Sequence, residues 1–370
     1  MIRGVGAAAL LLTVLLAQVA GSADSPIDGT NVYSMTIFQG ALYFVGTADE
    51  HTSILGKVGP AQPGSSSASL GGSDAVDRID GQPIQLIRRI SAEGDTLTLT
   101  GETIRYVFSR GGWVATANPE AALFEYNPGS GGRVGVPFIS FWVPLYMVQG
   151  HLVSVPVVGG PPRRFLVWNS QISANSGSAP FPSPGIYEIT GDAYQFYQLP
   201  QPTYDLFHQY RPERVKDGYT RDAVTLETEI GPFQLEGRGI HFGLRFYDGE
   251  GYTGVGGIGY FDPETRRYLL TYLRELSDWS ASAIYVEPNA IWLGLVMVRE
   301  GSNLAGGLLR YDRRSGKIAR YSIPALVNVI RRLGNSLYLG TSEGIYVVVD
   351  SRVEHLRFEI DPGGGYRIRH

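Results

Sequence analysis

The chain contains no cysteine, so disulfides cannot hold its fold and a lipoprotein signal is excluded. Charged residues make up only 18% of the sequence, and acidic residues outnumber basic ones by 35 to 31. A weakly acidic chain is a poor match for nucleic acid or an anionic membrane. Beyond the N-terminal region, no apolar run reaches the roughly 20 residues that a transmembrane helix needs. These absences predict a soluble fold held together by a buried core alone.

The N-terminal residues have the composition of an export signal. Arg3 supplies a positive charge, residues 5–20 are almost entirely Ala, Leu and Val, and Gly21-Ser22-Ala23 is a small-x-small pattern suited to a signal peptidase. We expect cleavage after Ala23, which makes the protein secreted or periplasmic with no transmembrane segment after cleavage. Residues 1–23 are then the signal peptide, and residues 24–370 form a single domain.

A recurrent apolar phrase is the main indication of architecture in a chain that has 48 Gly, 22 Pro and 22 Tyr. Such a composition is typical of an all-β protein with many tight turns. Around the last copy of the phrase, four strand-like runs fit into about 35 residues, as a propeller blade requires. The six copies are Ser53–Val58, Ala122–Asn127, Gly185–Thr190, Gly257–Asp262, Gly307–Asp312 and Gly344–Val349.

These copies predict an all-β fold, a β-propeller with six four-stranded blades. If the strands of a blade are lettered A to D from the axis outward, the phrase is strand C. A seventh blade hidden in residues 200–240 is one alternative, and a large sandwich or jelly roll is another, because strand spacing separates β architectures poorly.

The spacing between the copies predicts which face of the propeller carries function. Tight A–B turns are expected at Gln39-Gly40, Arg110–Gly112, Gln149-Gly150, Pro288-Asn289 and Gly334-Asn335. Long connections are expected between strands B and C (residues 159–184, 248–256 and 298–306) and between blades (residues 91–102, 200–229 and 274–281). Both classes of long connection emerge on one face, and elaborated loops on a rigid scaffold are the usual place for binding. The exception is residues 59–83, a Gly/Ser-rich excursion that we expect to be flexible.

Two stretches resemble known families of bacterial exported propellers. Gly307–Pro324 resembles the blade signature of the streptogramin lyase-like and gluconolactonase-like propellers, and Leu337–Tyr346 is similar to the sensor propellers of two-component regulators. The likeness covers about the last hundred residues and is specific for the fold. It implies, for the lyase-like group, His and Glu near a magnesium ion at the central opening. For the gluconolactonase-like group, it implies an axial divalent metal held by Glu, Asn and Asp.

Acidic residues recur in the predicted B–C loops and could converge near the axis. Oxygen ligands suit Ca²⁺ or Mg²⁺, so Glu50, Asp248 and Glu250 are candidate metal ligands. His51 adjoins Glu50 and His241 precedes the Asp248 loop, which makes both histidines candidates for a general base. The alternatives are solvated loop carboxylates and histidines with ordinary structural roles.

Aromatic residues near the same face suggest a binding surface. Tyr252 and Trp279 stand close in sequence to Asp248 and Glu250, and aromatic platforms beside carboxylates suit a sugar or peptide. Packing between blades is the alternative for both rings. The sequence therefore predicts a module that binds a small molecule, a glycan or a protein through its long-loop face. The alternative function is a metal-dependent lyase or hydrolase with its site at the central opening.

Overall fold

A computed structural model describes residues 31–47, 53–59, 74–76, 78–79, 82–84, 87–101, 104–117, 150–168, 185–190, 193–249, 251–299, 302–360 and 366–369. The expected signal peptide, the phrase Ala122–Asn127 and most of the 59–83 excursion lie outside these ranges. Within them, every helix is too short or too polar to traverse a lipid bilayer.

Six four-stranded antiparallel sheets form a six-bladed β-propeller, which confirms the fold expected from the repeat. In order from strand A to strand D, blade 1 consists of Asn31–Phe38, Ala41–Thr47, Ser53–Val58 and Asp74–Val76. Blade 2 consists of Ile87–Glu93, Thr96–Gly101, Ile104–Ser109 and Gly112–Ala117. Blade 3 consists of Gly150–Val155, Arg163–Trp168, Gly185–Thr190 and Ala193–Gln198. Blade 4 consists of Glu229–Glu236, Gly239–Arg245, Gly257–Asp262 and Arg267–Tyr272. Blade 5 consists of Ser280–Glu287, Ala290–Arg299, Ser302–Asp312 and Ile318–Tyr321. Blade 6 consists of Val327–Leu333, Ser336–Thr341, Gly344–Val349 and Arg352–Ile360.

The ring is closed by the last strand of the chain. Tyr366–Arg369 pairs with strand D of blade 6 on one side and with Asp74–Val76 of blade 1 on the other. The outer edges of the first and last blades therefore join in one nine-stranded sheet. Shorter elements are Arg78–Ile79 paired with Gln82–Pro83, Thr225–Leu226 paired with Tyr252–Thr253, the helices Tyr204–Tyr210 and Pro212–Lys216, and a 3₁₀ turn at Arg274–Leu276.

Strand A carries a β-bulge near its start in five of the six blades. A bulge redirects a side chain out of the regular alternation, and in blades 1, 5 and 6 it aims a polar side chain at the next blade. In each of these hydrogen bonds the acceptor is the backbone carbonyl of the residue that precedes the bulge in the next blade. These bonds are Ser282 Oγ to Val327 O at 2.7 Å, Asn328 Nδ2 to Val32 O at 3.1 Å, and the Tyr33 hydroxyl to Ile87 O. They link the inner strands of blades 5, 6, 1 and 2.

Three expectations about blade 2 are wrong. Residues 91–102 are not a long connection, because they contain the end of strand A, a Gly94-Asp95 turn and strand B. Arg110-Gly111 joins strands C and D rather than A and B. Alternating Thr and Leu in Thr96–Gly101 form an ordinary strand, so strand C of this blade is Ile104–Ser109 and not the phrase at 122–127.

Expectations about blades 3 and 5 also need correction. Gly150 begins strand A of blade 3, so Gln149-Gly150 is not an A–B turn, and the expected 159–184 loop contains strand B. In blade 5 the expected 298–306 loop is largely an extension of the B–C hairpin, since Arg299 still pairs with Ser302. Residues 200–240 hold two helices and strand A of blade 4 rather than a seventh blade.

Candidate functional site

Four connections at one end of blades 3, 4 and 5 form what we call the loop platform. It comprises residues 199–228 and 273–279 between blades, residues 246–249 and 251–256 between strands B and C of blade 4, and residues 296–299 and 302–305 of the blade 5 hairpin. The hairpin extends by four residue pairs beyond a bulge at Leu295/Val296, which corresponds to about 13 Å at the usual rise per strand residue. The platform therefore lies on the face for which function was expected.

The helical segment of the platform is set by local sequence signals. Thr203 begins the first helix, since its Oγ1 accepts a hydrogen bond from Leu206 N at 3.2 Å. Arg211 ends that helix, because Pro212 restricts the residue before it to non-helical angles and then starts the second helix at N1. The break in direction at Arg211 turns its side chain into the interior of the platform, where it is fully buried.

Arg211 is the centre of a network of hydrogen bonds and ion-pair contacts. Its Nη1 and Nη2 donate to Oδ1 and Oδ2 of Asp248, both at 2.8 Å, in a bidentate pair. Nη1 also donates to Thr253 Oγ1 at 2.9 Å and to the Gly254 carbonyl at 3.2 Å. Asp278 Oδ1 lies 3.2 Å from Nε. One guanidinium thereby joins the connection before blade 4, the B–C loop of blade 4 and the connection before blade 5.

The electrostatics of the pair keep both groups charged. Burial alone would lower the pKa of Arg211, but hydrogen bonding to Asp248 and its negative charge raise that pKa above the usual value. Burial would likewise raise the pKa of Asp248, yet the hydrogen bonds and charge of Arg211 bring it below the usual value. The ring centre of Phe246 lies 5.3 Å from the guanidinium carbon, close enough for a cation–π contact.

Backbone hydrogen bonds complete the attachment of the platform. Asp248 N donates to Val298 O at 3.0 Å, which fastens the B–C loop of blade 4 to the blade 5 hairpin. Thr225 N donates to Gly251 O and Glu227 N to Thr253 O, each at 2.9 Å, in a short parallel pairing with the segment around Tyr252. All four connections are thus tied to at least one other.

The expected ligand set is only partly described. Glu50, His51 and Glu250 lie outside the described residues. Asp248 lies in the platform, but Oδ1 accepts from both Arg211 and Thr253, and Oδ2 accepts from Arg211. Among the residues that the structure describes, no three His, Asp or Glu side chains are grouped as a metal site requires. Asp248 therefore holds the connections of the platform together through its carboxylate.

Tyr252 and Trp279 have different surroundings. Tyr252 is 43% exposed on the platform surface. Trp279 is half-buried. Its ring packs closely against Gly306, where a Cβ atom would come within 2.4 Å of the ring, and the guanidinium of Arg320 lies 5.7 Å from the ring centre. Of the two aromatic candidates, Tyr252 is the one more accessible to a ligand.

His241 lies at the other end of blade 4. Strand B runs from Gly239 to Arg245, so His241 is near the A–B turn while Asp248 follows the opposite end, about 20 Å away at the rise of an extended strand. Its Nε2 is 3.0 Å from Glu236 Oε2, and its ring centre lies 4.7 Å from that of Tyr260. Burial lowers the pKa of His241, against the effect of Glu236. The structure does not bring His241 and Asp248 together.

Sequence reasoning missed the residues that organise the platform. Arg211 received no role, although the Arg211-Pro212 step and the Thr203 cap are recognisable helix signals. Leu304 was also missed; it is 48% exposed on the extended hairpin, opposite Met297. The continuous apolar run at residues 295–298, just before the Gly301-Ser302 step, was the available signal for this hairpin.

The solved structures that are similar to this chain share little of its sequence. No family model matches it, and a comparison with curated proteins gave no match. Among solved structures it is similar to the extracellular domain of a putative hybrid two-component system from B. thetaiotaomicron, with 12% identity over 92% of this chain and 42% of that chain, at a TM-score of 0.49. It is also similar to YjhT, with 10% identity over 90% of this chain and 98% of that one (TM-score 0.41).

A third similar structure is the Niastella koreensis GH74 enzyme, with 11% identity over 91% of this chain and 50% of that chain, at a TM-score of 0.39. The chain spans about two fifths of the length of the two-component sensor domain. At 9–12% identity the likenesses to solved structures concern the fold, and they bear on neither ligand nor activity.

Proposed function

We propose that this protein is an exported binding module, secreted or periplasmic, that recognises a partner protein through its loop platform. The observation that carries the proposal is the fully buried Arg211, which is hydrogen-bonded to Asp248 and Thr253 and lies beside Asp278. Burying charged groups is costly unless they are paired, and Arg211 and Asp248 form a bidentate pair that fixes the connections they belong to. Loops fixed before association lose less conformational entropy when a partner binds.

The surface chemistry of the platform supports a protein as the partner. Tyr252 and Leu304 expose a large apolar side chain each, and both stand on segments held by the network or by strand pairing. Tyrosine and arginine are enriched where protein interfaces bury most area. Arg214 and Tyr219, stacked at 4.2 Å from guanidinium carbon to ring centre, add a rigid pair of the same chemistry.

The metal-dependent lyase or hydrolase is not favoured by the described residues. Such an enzyme needs ligand oxygens that remain available to a cation. Of the three candidate ligands, the structure describes only Asp248, and both of its oxygens already accept hydrogen bonds. We therefore propose no second function.

Site-specific photo-crosslinking tests the proposal. Benzoylphenylalanine replaces Tyr252 in one variant and Leu304 in another, and cells that export the protein are irradiated. We expect adducts of the same discrete mass from both positions. The matched control is Leu269, which is 64% exposed on strand D of blade 4 and outside the platform. Equal crosslinking at Leu269, or no adduct at Tyr252 and Leu304, would overturn the proposal.

A further inference from the structure

The face opposite the loop platform has one elaborated connection among the described A–B connections. In blades 1, 2, 4, 5 and 6, two residues join strand A to strand B. In blade 3 the same connection has seven residues, Pro156–Pro162, of which three are proline and two are glycine. Because the other blades show that the sheet needs only two residues here, the extra residues serve something other than strand pairing.

The long connection of blade 3 forms one wall of a cleft. The cleft has a volume of about 640 Å³, and its other walls are strand C of blade 3 around Glu188 and the C–D turn of blade 4 at Glu264. Arg163 Nη1 donates to the carbonyl of Pro263 at 2.8 Å, which attaches the connection to the neighbouring blade. With three prolines and this attachment, the cleft is formed before any ligand arrives.

The acidic residues of the cleft are already paired. The Glu188 carboxylate accepts from the Tyr197 hydroxyl at 2.7 Å and from Arg266 Nε at 3.1 Å, and Arg163 Nε lies 3.6 Å from its other oxygen. Burial and the hydrogen bond to Glu188 raise the pKa of Tyr197 to about 12. Glu264 lies 3.4 Å from Arg238. A ligand therefore meets no unpaired carboxylate on these two walls.

Arg164 is the cation of the cleft that has no partner among the described residues. It lines the cleft and is exposed, and within the described part of the chain it forms no ion pair or hydrogen bond. The surface beside it is apolar, with Val157, Pro161 and Pro162 in the wall and Val158 exposed to 64%. An unpaired guanidinium next to apolar surface complements an anion that carries an apolar body.

We infer that this cleft binds a small organic anion with an apolar body, of the class of medium-chain carboxylates. Arg164 pairs with the carboxylate, and the apolar body lies along Val158 and the proline wall. The site is on the opposite face from the loop platform, so the test of this inference does not depend on whether the loop platform binds a partner protein.

Calorimetric titration with octanoate, acetate and 1-octanol tests the inference on the intact exported protein. Octanoate has both features, acetate lacks the apolar body, and 1-octanol lacks the charge. We expect octanoate to bind at least about tenfold more tightly than either of the others, because each lost feature removes one set of contacts. Arg164→Met should weaken octanoate binding roughly tenfold, and Val158→Ser roughly fivefold.

Two matched variants separate the site from general surface effects. Arg314→Met removes an exposed arginine from the C–D turn of blade 5, on the same face, and Leu269→Ser removes an apolar side chain of the same 64% exposure as Val158. Both should bind octanoate like the unaltered protein. Undetectable octanoate binding, equal binding of acetate, or unchanged binding by Arg164→Met would each overturn the inference. Circular dichroism establishes that every variant is folded.

Discussion

The two ends of blade 4 hold charged groups in contrasting ways. At the platform end, Arg211 and Asp248 are buried and every Asp248 oxygen accepts a hydrogen bond. At the other end, His241 contacts Glu236, and Arg313 Nη1 donates to both Glu236 oxygens at 2.9 and 3.0 Å in a partly exposed cluster. The contacts are of similar length, 2.8 Å at the platform end and 2.9–3.0 Å at the other. The main difference is burial, because the side chains of Arg211 and Asp248 are at most 1% exposed and those of Arg313 and Glu236 are each 29% exposed.

Burial decides how much each cluster constrains the chain. A buried pair cannot exchange its partner for water, so removing one member leaves an uncompensated charge. A partly exposed cluster loses little, because solvent screens its charges and replaces lost hydrogen bonds. The comparison predicts that the platform depends on its buried pair, whereas losing one member of the cluster around His241 lowers the stability of the blade much less.

The largest expected effect comes from breaking the buried pair. Arg211→Met should lower the free energy of unfolding of the platform by about 3–5 kcal/mol, because Asp248 stays buried without its partner. Hydrogen exchange measures this as lost protection of the amides that the network fixes, with blade 6 unchanged.

A second variant separates the charge from the volume. Arg211→Met combined with Asp248→Leu should recover part of the lost protection, since no charge is then left in the apolar interior. If Arg211→Met leaves platform exchange unaltered, the pair does not hold the loops and the contrast between the two ends is lost.

A smaller effect is expected at the opposite end. Arg313→Met removes the hydrogen bonds to Glu236 and one to Glu287 O at 3.0 Å, yet it should cost no more than about 1 kcal/mol. Denaturant unfolding measures the change, with Arg314→Met as the neighbouring control. A loss of stability as large as that of Arg211→Met would show that solvent exposure does not determine how much each cluster contributes to stability.

The smallest effect concerns pH. Burial lowers the pKa of His241 in the folded protein, whereas an unfolded histidine titrates near 6.5. Below about pH 6.5 the unfolded chain therefore binds more protons, and stability that is complete at pH 7 declines towards pH 5. His241→Gln should flatten this decline in unfolding experiments across that range. An identical slope in the variant would mean that His241 contributes nothing to it.

The strand pattern was predictable to different degrees in different blades. Five copies of the phrase lie in strand C, as expected, because alternating apolar residues bounded by turn residues specify a strand directly. In blade 2 the Arg110-Gly111 turn was identified but assigned to the wrong pair of strands. A turn sequence predicts that the two strands on either side of it pair. It does not indicate which of the four positions in the blade, from the axis outward, those strands occupy.

The candidate site was predictable in place but not in composition. Loop lengths correctly indicated the platform connections of blades 3 and 4, while the role of Asp248 depended on a partner 37 positions earlier. With 31 basic and 35 acidic residues in the chain, nothing local identifies which pair is taken out of water. That choice follows from the packing of connections that belong to different blades.

The sequence by itself determined the recurrent six-residue phrase, most of the tight turns and hence the antiparallel sheets, because these depend on side-chain alternation and on neighbours within a few residues. The tertiary structure alone decided the closure of the ring by Tyr366–Arg369, the bonds from one bulge to the next, and the burial of Arg211 against Asp248. Each of these joins residues far apart in the chain. Such contacts form only when whole blades are stacked around an axis, so no local pattern can specify them.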